Sequence, residues 1–106
     1  MNKITLGACC LMLAASLPAF AGDPVAGQKK SQACVACHGR DGNSPAPDFP
    51  KIAGQHYDYL VKALKDYKSG ARKNPIMAPI VANLTQRDVE DLAAYFSSQK
   101  GLVVKY

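Results

Sequence analysis

Two cysteines and a histidine stand close together in the stretch Cys34-Val35-Ala36-Cys37-His38. A C-x-x-C-H pattern is typical of haem attachment, in which two thiols form thioether bonds to the haem and the histidine binds its iron. On a helix, Cys34, Cys37 and His38 occupy positions i, i+3 and i+4, so they share one face within about one turn. The motif therefore predicts one haem c, held by both cysteines, with His38 as an iron ligand.

Three other uses of a C-x-x-C pair have weaker support. A structural zinc site needs four ligands, and outside the first 21 residues His56 is the one further thiol or imidazole. A thioredoxin-like redox pair needs a βαβ context, which the sequence does not indicate. A disulfide between Cys34 and Cys37 would close too small a loop to add much stability. Because His38 directly follows the second cysteine, the pattern favours haem.

The second iron ligand decides what kind of haem protein this is. With His38 alone, one iron position stays open to small ligands, whereas a second side chain closes it and favours electron transfer. Met77 lies between Pro75 and Pro79, where a rigid backbone can aim its side chain inward, and it is the one thioether after residue 21. His56 stands at a predicted helix start, which is typical of a partly exposed polar residue. The sequence favours Met77.

The first 21 residues have the pattern of a secretory signal peptide. Lys3 supplies a positive charge, an apolar run extends from Leu6 to Leu17, and Ala19-Phe20-Ala21 is a small-x-small cleavage site. The apolar run is short for a transmembrane helix, although an uncleaved anchor is the alternative. We expect residues 1–21 to be removed and residues 22–106 to form a single small domain in the periplasm, with no membrane anchor after processing.

The first helix is expected to carry the haem motif at its end. Asp23 is a suitable N-cap and Pro24 suits the first helical position, so the pattern predicts a helix from there to about Cys37. The following segment, GRDGNSPAPDFP, is rich in glycine and proline and is expected to form a loop beside the haem.

Two further helices are predicted downstream. One begins near His56, ends at Gly70 and has apolar residues at helical spacing. Another begins at Thr85, where Asp88 completes a capping box, and ends at Gly101. The expected buried positions are Tyr57, Leu60, Val61, Leu64 and Tyr67 in the first, and Val89, Leu92, Ala93 and Phe96 in the second. The segment between these helices, which holds Met77, is predicted to be irregular because two prolines interrupt it.

The sequence resembles the class I c-type cytochromes, in particular the small bacterial cytochrome c553 and cytochrome c4-domain type. The resemblance covers residues 23–101 through ACVACHGRDGNS, FPKIAGQ, NPIMAPIVANLT and DVEDLAAYF. It implies an all-α fold, a single small domain of three to five short helices around a covalently attached haem. The first and last helices are expected to cross beside the haem.

The resemblance also implies particular contacts. The carbonyl of Pro50 is expected to accept a hydrogen bond from the His38 ring, which would fix the ring and raise its basicity. Gly27 is expected at the crossing of the terminal helices, with Tyr95 packed there. Ser31 stands where many relatives carry an aromatic residue.

These features together predict a soluble periplasmic monohaem cytochrome c that carries single electrons and is not an enzyme. Its expected partners are a redox donor and acceptor, such as membrane respiratory complexes or periplasmic oxidoreductases, with no nucleic acid, and it is expected to be a monomer. Arg72 and Lys73 lie near the expected haem edge, which predicts docking that weakens with salt. A haem enzyme or gas sensor with an open iron position, and a permanently docked subunit, are the alternatives.

Overall fold

The computed structural model describes residues 22–103, and this part of the chain is helical, without a β-strand. In chain order its helices are α1 (Pro24–Lys30), α2 (Gln32–His38), α3 (Tyr57–Ser69), α4 (Met77–Val81) and α5 (Gln86–Ser97). The all-α class with three to five short helices is therefore confirmed. The predicted signal peptide, residues 1–21, lies outside the described residues. Within 22–103, no helix is long and apolar enough to cross a membrane.

The predicted first helix is interrupted at Ser31. Asp23 caps α1 by accepting a hydrogen bond from the backbone N–H of Val25, and Pro24 begins the helix as predicted. At Ser31 the side-chain hydroxyl donates to the carbonyl of Gln28 at 2.6 Å, and the Ser31 backbone N–H donates to the same carbonyl. A serine that hydrogen-bonds to the preceding turn competes with the regular helical pattern. The haem motif consequently lies on a separate short helix, α2.

Helices α1 and α5 cross at Gly27. A Cβ atom at this position would lie 1.9 Å from the carbonyl oxygen of Asp91 and 2.8 Å from the Cβ of Tyr95. Only glycine permits so close an approach of two helix backbones. The expected contact of Gly27 with Tyr95 is confirmed. The Tyr95 hydroxyl also donates to the carbonyl of Arg40 at 2.7 Å, which ties α5 to the loop after α2.

A cluster of charged residues links α1 to α5 at the same crossing. Lys30 Nζ lies 2.6 Å from Asp91 Oδ2 and 3.0 Å from Asp88 Oδ1, and the backbone N–H of Asp23 donates to Asp91 Oδ1 at 2.8 Å. Burial of Asp91 opposes ionisation, but the hydrogen bonds from Lys30 and Asp23 outweigh it and the pKa of Asp91 is lowered. The hydrogen bond to Asp91 in turn raises the pKa of Lys30. The cluster is therefore ionised and paired at neutral pH.

An acid titration tests the contribution of Asp88. Hydrogen bonds from the Thr85 backbone and from Lys30 lower the pKa of Asp88 to about 2. The ionised Asp88 therefore stabilises the folded state fully above about pH 5, and this contribution is lost as the pH falls toward the folded-state pKa of about 2. The Asp88 side chain is 26% exposed, so screening leaves a contribution of about 1 kcal/mol. We expect Asp88→Asn to lower the free energy of unfolding by that amount near neutral pH and to flatten its decline in acid.

The measurement is denaturant unfolding of the holoprotein across the acid range. Asp58→Asn, which removes an exposed carboxylate from the first turn of α3, is the matched control and should lower the free energy of unfolding near neutral pH by less than Asp88→Asn does. Equal slopes in the Asp88 variant and the wild type would contradict the assigned role.

Helix α3 packs against α5 and completes the core. It ends, as predicted, at Gly70, which has the left-handed backbone conformation of a helix C-cap with φ of 85°. Leu60 of α3 packs into a core cluster whose remaining buried members lie on α5, namely Leu92, Ala93, Tyr95 and Phe96. Cys34 and Ile52 pack against this cluster. The core therefore lies directly behind the haem motif.

Helix α5 begins as predicted and ends earlier than predicted. Thr85 and Asp88 form the reciprocal capping box. The helix ends at Ser97 rather than near Gly101, and the chain turns back so that the Leu102 N–H donates to the carbonyl of Ala53 at 2.7 Å. This long-range pairing with the loop before α3 draws the terminal residues away from the helical path.

Candidate functional site

A cavity of about 290 Å³ lies between helices α2, α3, α4 and α5 and the loop between α2 and α3. Its wall includes Cys34, Cys37, His38 and Met77, so the fold brings all four predicted site residues to one cavity. The wall is otherwise mostly apolar, with contributions from Phe49, Ile52, Leu60, Ala63, Leu64, Ile80, Leu92, Ala93 and Phe96. His56, the rival iron ligand, is not among the described residues that line it.

The His38 ring is fixed with one nitrogen available for a metal. His38 is buried at the end of α2, and its Nδ1 lies 2.8 Å from the carbonyl oxygen of Pro50. Because a carbonyl can only accept a hydrogen bond, Nδ1 carries the proton and the lone pair is on Nε2. The contact with Pro50 is the one that the resemblance implied, and it sets both the tautomer and the orientation of a ligand histidine.

Cys34 and Cys37 lie one turn apart on α2, next to His38. Both are half-buried free thiols, and both line the cavity. Burial, with a smaller effect from the neighbouring Cys37, raises the pKa of the Cys34 thiol. The Cys34 sulfur is therefore protonated near neutral pH, and both cysteines line the cavity as free thiols, as thioether formation with a bound haem requires.

The described residues do not provide the structural features that the other uses of the C-x-x-C pair require. Within residues 22–103, no group of three or more His, Cys, Asp or Glu side chains is arranged to hold a metal ion, so a four-ligand zinc site lacks its ligands. The same residues contain no strand and hence no βαβ unit for a thioredoxin-like pair. No disulfide joins Cys34 and Cys37.

Met77 is held at the start of α4 by Asn74. The Oδ1 of Asn74 accepts hydrogen bonds from the backbone N–H groups of Ile76 at 2.9 Å and Met77 at 3.0 Å. The two prolines predicted an irregular segment here, and that prediction is wrong for Met77–Val81, which forms a short helix. An Asn-Pro pair is a helix-start signal, so Asn74 followed by Pro75 could have indicated it. The effect is to fix the backbone that directs Met77 to the cavity.

Polar residues at the rim of the cavity were not identified from the sequence. Tyr59, Tyr67 and Arg72 line the cavity beside Ile76, and Tyr59 and Ile76 are 50% and 55% exposed. The cavity therefore reaches the surface on this side. The helical pattern predicts Tyr67 on the buried face of α3, and the sequence predicts Arg72 near the exposed haem edge; neither pattern indicates a place in the cavity wall.

The residues present fit a covalently attached haem. An apolar wall suits a flat apolar macrocycle, the free thiols of α2 are available for its vinyl groups, and His38 offers an imidazole nitrogen. Met77 offers a thioether on the same cavity wall. When bound, such a group supplies one-electron chemistry through its iron.

Residues 24–100 match the protein family described as "Cytochrome c". The chain is 48% identical to cytochrome c4 of Pseudomonas aeruginosa over 100 residues, which cover 94% of this chain and 50% of the relative. It is 45% identical to cytochrome c-554(548) of Halomonas halodenitrificans over 83 residues, which cover 76% of this chain and 100% of that protein.

The fold is similar to that of reduced recombinant cytochrome c4 from Pseudomonas stutzeri. The TM-score is 0.73 with 53% sequence identity, and the match covers 77% of this chain and 48% of that one. This chain spans about half the length of the cytochrome c4 relatives that it matches.

Proposed function

Because this chain belongs to the cytochrome c family, we propose that it is a carrier of single electrons that works through one covalently bound haem c. The observation that carries the proposal is the single cavity lined by Cys34, Cys37, His38 and Met77. Proteins of this family hold haem c covalently, and the C-x-x-C-H motif of α2 supplies the attachment.

The four residues have separate proposed roles. Cys34 and Cys37 form the thioether bonds, and His38 binds iron through Nε2 while Pro50 holds Nδ1. Met77 provides the sixth ligand. Two permanent protein ligands leave the iron the same coordination in both oxidation states, which suits electron transfer and leaves no position for a substrate. The site therefore has no catalytic residue in this proposal.

The proposal also includes the location and the partners of the protein. Residues 1–21 direct export and are cleaved, and residues 22–106 work in the periplasm as a soluble monohaem domain. Electrons pass to and from redox proteins at the surface side of the cavity, where Tyr59 and Ile76 are about half exposed. The exposed Lys73 next to this rim adds positive charge, which favours partners with an acidic docking face.

The test is the mass and the electrochemistry of the exported protein. We expect the polypeptide that begins at Gly22 plus one haem, retained after denaturation and acid extraction, and a reversible one-electron wave. A Cys34→Ala, Cys37→Ala double variant is the control and should lose its haem on extraction, because no thioether bond remains. A bare wild-type polypeptide, or haem that is extracted equally from both proteins, would refute the proposal.

A further inference from the structure

Arg72 is positioned at the cavity by two tyrosines of α3. Its guanidinium carbon lies 4.7 Å from the centre of the Tyr67 ring, and Nη1 lies 3.4 Å from the hydroxyl of Tyr59, to which it donates. The backbone N–H of Arg72 donates to the carbonyl of Asp66 at 3.0 Å, so the chain after α3 is also fixed. Arg72, Tyr59 and Tyr67 all line the cavity. The side chain is therefore oriented, although it is exposed.

This oriented cation has no carboxylate partner in the part of the chain that the structure describes. The ion pairs there are formed by Lys30 with two aspartates and by Lys62 with Asp66, and none of them includes Arg72. A guanidinium presents five N–H donors in a planar fork that matches a carboxylate with two parallel hydrogen bonds. One neutral hydroxyl and one aromatic face leave most of these donors available.

The proposed cofactor carries the group that such a fork would bind. A haem has two propionate carboxylates on an otherwise apolar ring, and a carboxylate against an apolar wall is costly unless it is paired. We propose that Arg72, oriented by Tyr59 and Tyr67, is the carboxylate-binding residue of this cavity and pairs with a haem propionate. This inference rests on the proposed function, because it requires haem in the cavity.

The other nearby cations suit this role less well. Lys51 also lines the cavity, but its ammonium makes no hydrogen bond or ion pair to the described residues, so nothing orients it. Lys73 is exposed and is not among the described residues that line the cavity. The sequence predicted that Arg72 and Lys73 both act as docking charges. In this proposal Arg72 binds the cofactor, and Lys73 alone remains a surface charge.

The pairing has a consequence for the reduction potential. A guanidinium beside a propionate favours its ionised form and keeps its pKa low. Ferric haem carries one more positive charge than ferrous haem and holds the propionate proton less tightly, so the potential falls as the pH rises through the propionate pKa. Without the guanidinium, this pKa rises and the pH-dependent region moves upward.

The experiment measures the potential of the holoprotein between about pH 4 and pH 9 in Arg72→Gln and in Lys73→Gln, which removes the same charge one residue away. In Arg72→Gln the pH range over which the reduction potential falls should move upward by about one pH unit or more. Redox-difference infrared spectra should show a protonated propionate at a pH where the wild type shows none. Tyr59→Phe, which removes the hydroxyl that accepts from Arg72, should produce a smaller shift in the same direction, and Lys73→Gln should produce none.

Two results would overturn the assignment. If Arg72→Gln and Lys73→Gln shifted the pH dependence of the potential equally, the effect would come from general surface charge and not from a pairing with Arg72. A shift in Lys51→Gln but not in Arg72→Gln would assign the propionate to the other cation. A chain that contains no haem would refute the proposed function and this inference together, whereas an intact haem protein with either of these patterns refutes only the role of Arg72.

Discussion

Replacing Gly27 with valine is expected to destabilise the domain more than any other single change outside the haem attachment. A Cβ alone would lie 1.9 Å from the carbonyl oxygen of Asp91, and the contacting atom is helix backbone that cannot rotate away. Helices α1 and α5 would have to separate, which costs at least about 3 kcal/mol. Against a total stability of about 5 to 10 kcal/mol for a domain of this size, this loss is large. The measurement is denaturant unfolding of the holoprotein.

Gly70→Ala is the matched control for Gly27→Val. Gly70 has φ of 85°, so alanine there is strained by about 1 kcal/mol, but no atom lies within 4 Å of the added Cβ. Gly27 lies inside α1 and has no positive φ, so Gly27→Val carries no such strain, and any larger loss of stability reports the two helices forced apart. A Gly27 variant that unfolds at the same denaturant concentration as Gly70→Ala would contradict the tight crossing of α1 and α5.

The parts of the fold that the sequence predicted correctly depend on local chemistry. The caps at Asp23 and Thr85 join residues at most three positions apart, and the C-cap at Gly70 depends on the backbone conformation of one glycine, so these patterns are visible in the sequence. The C-x-x-C-H motif is equally local, because one helical turn brings its three side chains to one face. Met77, the one thioether after residue 21, lines the same cavity as this motif, and its role as an iron ligand stays a prediction.

The parts that the sequence did not predict depend on which of several possible partners a residue contacts, whether nearby or far along the chain. The early end of α5 follows from the pairing of Leu102 with Ala53, about half the chain away. In the sequence Arg72 and Lys73 are two adjacent charges of equal standing, whereas the fold places Tyr59 and Tyr67 around Arg72 alone. Ser31 breaks the first helix although serine is tolerated in helices, because its hydroxyl turns to Gln28. No spacing rule indicates which of several possible partners such a residue chooses.

Met77→Ala is expected to change the iron site completely while leaving the domain folded. Met77 is half-buried at the first position of a five-residue helix, whereas Cys34, Cys37 and His38 lie on α2 and would still hold the haem. With the sixth position open, the ferric protein should become high-spin and lose the weak far-red band of sulfur ligation. Carbon monoxide binding to the ferrous protein should rise from negligible to near stoichiometric, and the potential should fall, because a thioether ligand raises it.

His56→Ala is the matched control, because His56 is the rival imidazole and does not line the cavity in the described part of the chain. It occupies the N-cap position of α3, so its loss should affect stability slightly and leave the spectrum, the potential and the exclusion of carbon monoxide unchanged. The opposite pattern, with the native spectrum lost in His56→Ala and kept in Met77→Ala, would identify a bis-histidine haem with a lower potential. Carbon monoxide binding by the wild type at neutral pH would instead favour the gas-sensor or enzyme alternative, since that function requires the position that Met77 is proposed to close.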